Sequence, residues 1–251
     1  MLKLRIIPTL LFKNFTLVKG VRFNSWRRIG SVMQTVKVFN MREVDELAFL
    51  DISATIEGRT PDFELVDEIA DECFMPLAVG GGIKSLEDVR KLLSVGADKV
   101  ILGSVAVSNP QLISDIANNF GSQSVVVSVD VSKINGDYEV FINSGIKPTG
   151  IKPENLIKKM EEMGAGEILL TSIDRDGTMS GYDVDLIKKM SNITNIPLIA
   201  SGGAGSYKDM LEITKEANVS ALAAASIFYF TEQTPLEAKK YLKENGVNVR
   251  L

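Results

Sequence analysis

Eight short apolar runs alternate with eight amphipathic segments along 251 residues, and this alternation constrains the fold before any motif is considered. Strands are predicted at about 5–11, 46–52, 76–80, 98–103, 123–130, 167–172, 197–201 and 220–224. Helices are predicted near 31–43, 62–73, 85–95, 110–119, 153–163, 183–192, 206–216 and 234–244. Most strand runs are continuously apolar, as in Leu47-Ala48-Phe49-Leu50 and Val125-Val126-Val127, which suits strands covered on both faces. Helix starts are marked by Ser85 before Glu87 and Asp88, by Asn109-Pro110, by Lys152-Pro153 and by Thr234-Pro235. Asn135-Gly136 predicts one hairpin. Eight βα units without a linker predict a single (β/α)8 barrel domain over residues 1–251, with an open doubly wound sheet as the alternative.

An internal repeat sharpens the prediction. Pro76-Leu-Ala-Val-Gly-Gly-Gly82 matches Pro197-Leu-Ile-Ala-Ser-Gly-Gly203 at an offset of 121, which also carries Glu46 onto Glu167 and Asp88 onto Asp209. The chain reads as two fused half-barrels.

The count that excludes most chemistry is the absence of histidine. No Ser-His-Asp or Cys-His nucleophile, no His-ligated zinc and no imidazole base is available. Acid–base work falls to Asp, Glu, Lys, Tyr or Cys73, and no motif calls for a metal or a cofactor. The 28 basic and 32 acidic residues leave a net charge of −4 and no basic stripe, which argues against nucleic acid. The lone Cys73 fits a reducing compartment. No apolar run is long enough to span a bilayer, and the start of the chain does not read as a signal peptide, so a cytoplasmic location is expected.

Function is therefore sought at the C-terminal ends of the strands. Gly81-Gly82 and Gly202-Gly203 follow the third and seventh strands, while Gly103-Ser104 and Ala225-Ser226 follow the fourth and eighth. Backbone amides and a hydroxyl repeated on opposite sides of the mouth predict two phosphate sites. Asp174, Asp176, Gly177 and Thr178 follow the sixth strand, and Asp130 closes the fifth, where low-dielectric surroundings tune a carboxyl for proton transfer. The repeat pairs Asp130 with Leu11, which moves no protons. At the opposite end, Arg5, Glu46, Lys99 and Glu167 begin strands 1, 2, 4 and 6 and predict a salt-bridge ring. The bottom face ordinarily serves stability, and a gated pore is the alternative.

These residues belong to stretches with a known likeness. They include Val44-Asp-Glu-Leu47, Leu50-Asp-Ile52, Val79-Gly-Gly-Gly-Ile83, Gly96-Ala-Asp-Lys-Val100, the run from Gly164 to Thr178, and Ile199-Ala-Ser-Gly-Gly-Ala-Gly205. Through them the chain resembles the cyclase subunit of imidazole glycerol phosphate synthase, the HisF family, over nearly its whole length. The resemblance implies a TIM barrel with a HisH-like glutaminase docked on its bottom face. Ammonia then rises through the barrel to a phosphorylated ribosyl-aminoimidazole ligand at the top. It also implies that Arg5, Glu46, Lys99 and Glu167 form an ammonia gate. One phosphate falls to Gly82 and Ser104 and the other to Gly177, Gly203, Ala225 and Ser226. Lys19 falls in a mobile first loop, and Asp130 and Asp176 are the catalytic candidates.

Departures cluster at the chemistry. The family's second essential aspartate falls at Leu11, its phosphate-contacting Asn falls at Gly103, and the first loop reads Val21-Arg-Phe-Asn-Ser-Trp-Arg-Arg-Ile-Gly30. The chain therefore resembles a paralogous branch from surface-polysaccharide gene clusters, which implies ammonia supply to a separate sugar amidotransferase. The alternatives are a histidine-pathway cyclase and a non-enzymatic phosphate-binding scaffold.

Overall fold

The computed structural model describes residues 3–251. Strand β1 (Arg5–Lys13) runs into a hairpin, β2 (Thr16–Val21) and β3 (Asn24–Gly30), before helix α1 (Val32–Met41). Next come β4 (Leu47–Asp51), α2 (Phe63–Glu72), β5 (Leu77–Gly80), α3 (Leu86–Ser94) and β6 (Lys99–Leu102). A one-turn helix α4 (Ser104–Ser108) precedes α5 (Gln111–Phe120) and β7 (Val125–Ile134), which turns back as β8 (Asp137–Ile142) and the short β9 (Lys147–Pro148). The chain continues through α6 (Pro153–Glu162), β10 (Glu167–Ser172), α7 (Val184–Ser191), β11 (Leu198–Ser201), α8 (Tyr207–Glu216) and β12 (Ala221–Ala224). The second one-turn helix α9 (Ser226–Phe230) and α10 (Pro235–Glu244) follow.

Strands β1, β4, β5, β6, β7, β10, β11 and β12 pair in parallel in that order, and β12 closes onto β1 with Arg5 opposite Ala221. Closure makes this a (β/α)8 barrel and removes the open-sheet alternative. Outward positions of the strands meet the helices in the large core, which includes Ile6, Leu47, Leu77, Leu102, Leu170 and Leu222. Inward positions form a second, smaller cluster: Ile7, Ala48, Ala78, Ile101, Val126, Leu169, Ile199, Ala221 and Ala223. Four of these nine are alanine, so small side chains make up nearly half of the barrel's apolar middle. Among the described residues no helix is long and apolar enough to cross a membrane.

The repeat appears in the backbone as well as the sequence. Ser85 caps α3 by accepting from Asp88 N at 3.1 Å, while the Asp88 carboxylate accepts from Ser85 N at 3.0 Å. Ser206 and Asp209 do the same for α8 at 3.3 and 2.8 Å. Both boxes follow a Gly-Gly pair in left-handed conformation, at Gly81-Gly82 and Gly202-Gly203. Each half also extends one barrel strand into an antiparallel hairpin, β1 with β2 and β7 with β8.

The Asn135-Gly136 hairpin forms as its sequence predicts, with both residues left-handed. The first loop does not stay irregular. It folds as a second hairpin whose two tight turns place Asn14-Phe15 and Arg22-Phe23 in left-handed backbone, a conformation that costs non-glycine residues about 1 kcal/mol each. Only Asn14 is a usual resident of such a turn, so this hairpin had little local signal.

Losing either capping serine leaves one helix-end amide without its partner. Ser85→Ala and Ser206→Ala are each expected to cost about 1 kcal/mol, and the double variant about twice that, in urea unfolding. A cost at only one site would show that the halves are not equivalent.

Candidate functional site

A cavity of about 590 Å³ opens at the C-terminal ends of the barrel strands. Gly81, Gly82, Gly103 and Ser104 form one wall, so the first predicted anion cradle opens directly into it. Thr55 Oγ1 accepts from Gly82 N at 3.2 Å, and Ser104 Oγ accepts from Asn143 N at 2.9 Å, which ties the cradle to the loop beyond β8. Asn143 and Ser144 are both left-handed, and Ser144 donates to Ile52 O at 2.6 Å across the mouth. Thr9, Leu11, Ser128, Asp130, Thr171 and Ser201, all on barrel strands, line the depth of the cavity.

Among the described residues, Asp130 is the one group whose proton equilibrium its environment moves into the neutral range. Burial raises its pKa to about 7, and the negative charge of Asp176 adds to the rise; hydrogen bonds from Ser128, at 3.3 Å, and Thr171 oppose it. No cation among the described residues reaches the carboxyl, and two hydroxyl partners do not make up for the water it loses on burial, so its charged form is poorly solvated. Because its folded pKa lies above the unfolded value, Asp130 weakens folding as pH rises from the ordinary carboxylate range to about 7. Such a group is poised to give or take a proton near neutrality. Leu11, opposite Leu50 in register, presents an alkyl side chain to the same space.

Asp176 behaves differently. Lys19 Nζ grips both of its oxygens, at 2.8 and 2.7 Å, and Lys19 is only 2% exposed. The resemblance implied Lys19 in a mobile loop; it lies in β2, paired with both β1 and β3. That hairpin seats itself on the segment after β10. Arg22 donates from its backbone to Asp176 O at 2.8 Å and from Nε to Asp174 O at 3.2 Å. The Arg27 guanidinium lies 4.3 Å from the centre of the Phe230 ring.

This seating divides the two predicted phosphate sites. Gly82, Ser104 and Lys19 line the cavity, as do Asp130 and Asp176, but Gly177, Gly203, Ala225 and Ser226 do not. The backbone of Gly20 approaches Gly177 so closely that a Cβ there would stand 2.1 Å from the Gly20 carbonyl oxygen. The second set holds one polar atom without a partner. Ser226 Oγ is buried without a hydrogen-bond partner at the start of α9, and such orphans are rare in folded proteins.

At the barrel floor the four predicted residues close a ring. Arg5 reaches Glu46 at 2.6 Å and Glu167 at 2.7 Å, and Lys99 reaches Glu46 at 2.9 Å and Glu167 at 2.7 Å. Glu167 is held below the usual carboxylate range: burial pushes its pKa up, but the hydrogen bonds and charges of Arg5 and Lys99 outweigh it. The cavity's deepest lining residues, Ile101 and Leu169, are the next inward positions above Lys99 and Glu167. At two residues of strand rise, only about 7 Å of barrel separates that layer from the ring.

The histidine-biosynthesis protein family model matches residues 5–234. Full-length relatives agree with it. The imidazole glycerol phosphate synthase subunit HisF of Natranaerobius thermophilus is 47% identical over 251 residues, covering 100% of both chains. The HisF subunits of Chlorobaculum parvum and Dictyoglomus thermophilum are 47% and 49% identical, again over 100% of each chain. The chain belongs to the HisF family. The HisF names point to histidine biosynthesis and none of them to sugar amidation, so the family reading stands while the paralogous branch suggested by the sequence gains no support from them.

Several cavity residues of this HisF-family chain escaped the sequence reading. Asp51 ends β4 much as Asp130 lies on β7, but its carboxylate accepts from Ser53, Ala54 and Arg59 and is spent on holding its own loop. Phe23 and Trp26 reach the cavity only because the first hairpin folds over it, and no periodicity signals that. Thr171 and Ser201 carried a findable signal, since both lie at C-terminal ends of barrel strands.

The ring predicts a pH signature. A depressed carboxylate supplies stability that is present above its unfolded pKa and lost as pH falls through the folded value. Glu167→Gln is expected to lose about 2–3 kcal/mol at pH 7, with the difference from the parent shrinking below about pH 4. Equal losses at pH 7 and pH 3.5 would contradict the ring's electrostatic role.

Proposed function

We propose that this chain is the synthase subunit of an imidazole glycerol phosphate synthase. It takes ammonia from a glutaminase beneath the floor and uses it for cyclase chemistry at the top. The observation that carries this reading is the alignment of its parts on one axis. A closed ring of two cations and two anions lies one thin apolar layer below a cavity that contains an anion cradle and a carboxyl with a pKa of about 7. Small alanines in that layer suit passage of neutral ammonia, whereas a charged ammonium ion would be costly to desolvate there. Opening one ion pair of the ring would admit ammonia from below, and Asp130 then serves as the proton donor and acceptor above. Gly82 and Ser104 hold one phosphate of the ligand; Gly177, Gly203, Ala225 and Ser226 hold the other once the hairpin moves off them. This reading places the chain in the cytoplasm, as one domain.

One observation favours a second reading. Leu11 removes the carboxylate that a symmetric acid–base pair needs, while the ring and the apolar layer are complete. A barrel kept for its conduit delivers ammonia to another acceptor, such as a sugar handled by a separate amidotransferase.

A cyclase assay with the ribosyl-aminoimidazole precursor and saturating ammonium separates the two, because ammonium bypasses the glutaminase. The first reading expects turnover by the parent chain, accelerated in Leu11→Asp by about 10²–10⁴-fold, the usual worth of a general acid or base. An inactive parent with an active Leu11→Asp variant selects the second reading. Inactivity of both would remove cyclase chemistry from this site.

A further inference from the structure

We infer that Trp26 is a specificity-determining residue of the top cavity, forming with Phe23 the aromatic wall on which the ring of the bound phosphorylated ligand stacks. The inference rests on the reading of the Gly82–Ser104 wall as a phosphate cradle. Trp26 is the only tryptophan in the chain, and it comes from β3, outside the barrel strands. Gly20 and Lys13 lie against its indole. Gly20 lies beneath it, where a Cβ would stand 2.9 Å from the indole edge, and Lys13 Nζ lies 5.6 Å from the ring centre. Phe23 is held by the tight turn between β2 and β3, and its ring meets Gly145 across the mouth, where a Cβ would stand 2.8 Å away.

The cavity therefore has an anion cradle, polar groups at depth on Asp130, Thr171 and Ser201, and a roof carrying two aromatic rings. A volume of about 590 Å³ is in the range of small-ligand sites. Aromatic rings beside alkyl groups favour a planar heterocycle at this wall, because a flat ring buries apolar area there without stranding hydroxyl groups. Base-on-aromatic stacking is strong enough to set preference between ligands that share a phosphate.

The single indole makes the test direct. An aminoimidazole ribonucleoside 5′-monophosphate, ribose 5-phosphate and inorganic phosphate are titrated against the parent chain while Trp26 emission is followed, with affinities measured in parallel by calorimetry. The expected result is a change in emission with the ribonucleotide only, and ribonucleotide binding about 10- to 100-fold tighter than ribose 5-phosphate. Trp26→Ala should erase that preference while leaving ribose 5-phosphate affinity unchanged, and Trp26→Phe should retain most of it. Equal affinity for ribonucleotide and ribose 5-phosphate, or a preference that survives Trp26→Ala, overturns the inference while leaving the cradle intact. Failure of all three probes to bind overturns the cradle itself, and the inference with it.

Discussion

A closed barrel gives every second side chain of its eight strands nowhere to go but the axis, and the chemistry of this protein follows from that constraint. Charge placed on the axis has to be compensated there or neutralised. At the floor it is compensated: two cations and two anions meet in four ion pairs within 2.9 Å, leaving no net charge. In the middle there is none, only aliphatic side chains, four of them alanine. Near the top a single carboxyl, Asp130, has no cation of its own and is neutralised by holding its proton up to about pH 7. The same closed geometry that gathers the ring at the floor buries Asp130 and raises its pKa.

The two halves share a frame but not a chemistry. Capping boxes, Gly-Gly turns, one-turn helices and strand-extending hairpins recur across the repeat. What differs lies at the axis. Leu11 stands where the repeat would mirror Asp130, and Lys19, carried in by the first hairpin, is committed to Asp176. The one carboxyl with a neutral-range pKa thus lies on one side of the cavity, and the hairpin that brings Lys19 also brings Phe23 and Trp26 to its edge.

The frame was legible in the sequence because its signals are local and repeated. Continuous β-branched runs, Ser-x-x-Asp caps and Asn135-Gly136 each report on their own few residues, and the predicted strands and helices match the barrel to within a few positions. The ring was legible too, since Arg5, Glu46, Lys99 and Glu167 all begin strands and had to meet at one end. The first hairpin was not. Phe15, Arg22 and Phe23 adopt left-handed backbone that their side chains disfavour, a conformation held by β1 and by the segment around Asp176. The roof over the cavity and the seal over Gly177 are consequences of that tertiary contact, so neither could be read from composition or periodicity.

The most direct test is the titration of Asp130 itself. Carboxyl carbon NMR of protein labelled at aspartate, with Asp130→Asn to assign the resonance, should give a midpoint near pH 7 for Asp130. A midpoint near 4, the ordinary aspartate value, would mean that the axis solvates the charge. The protein would then hold no neutral-range acid at the top of its barrel.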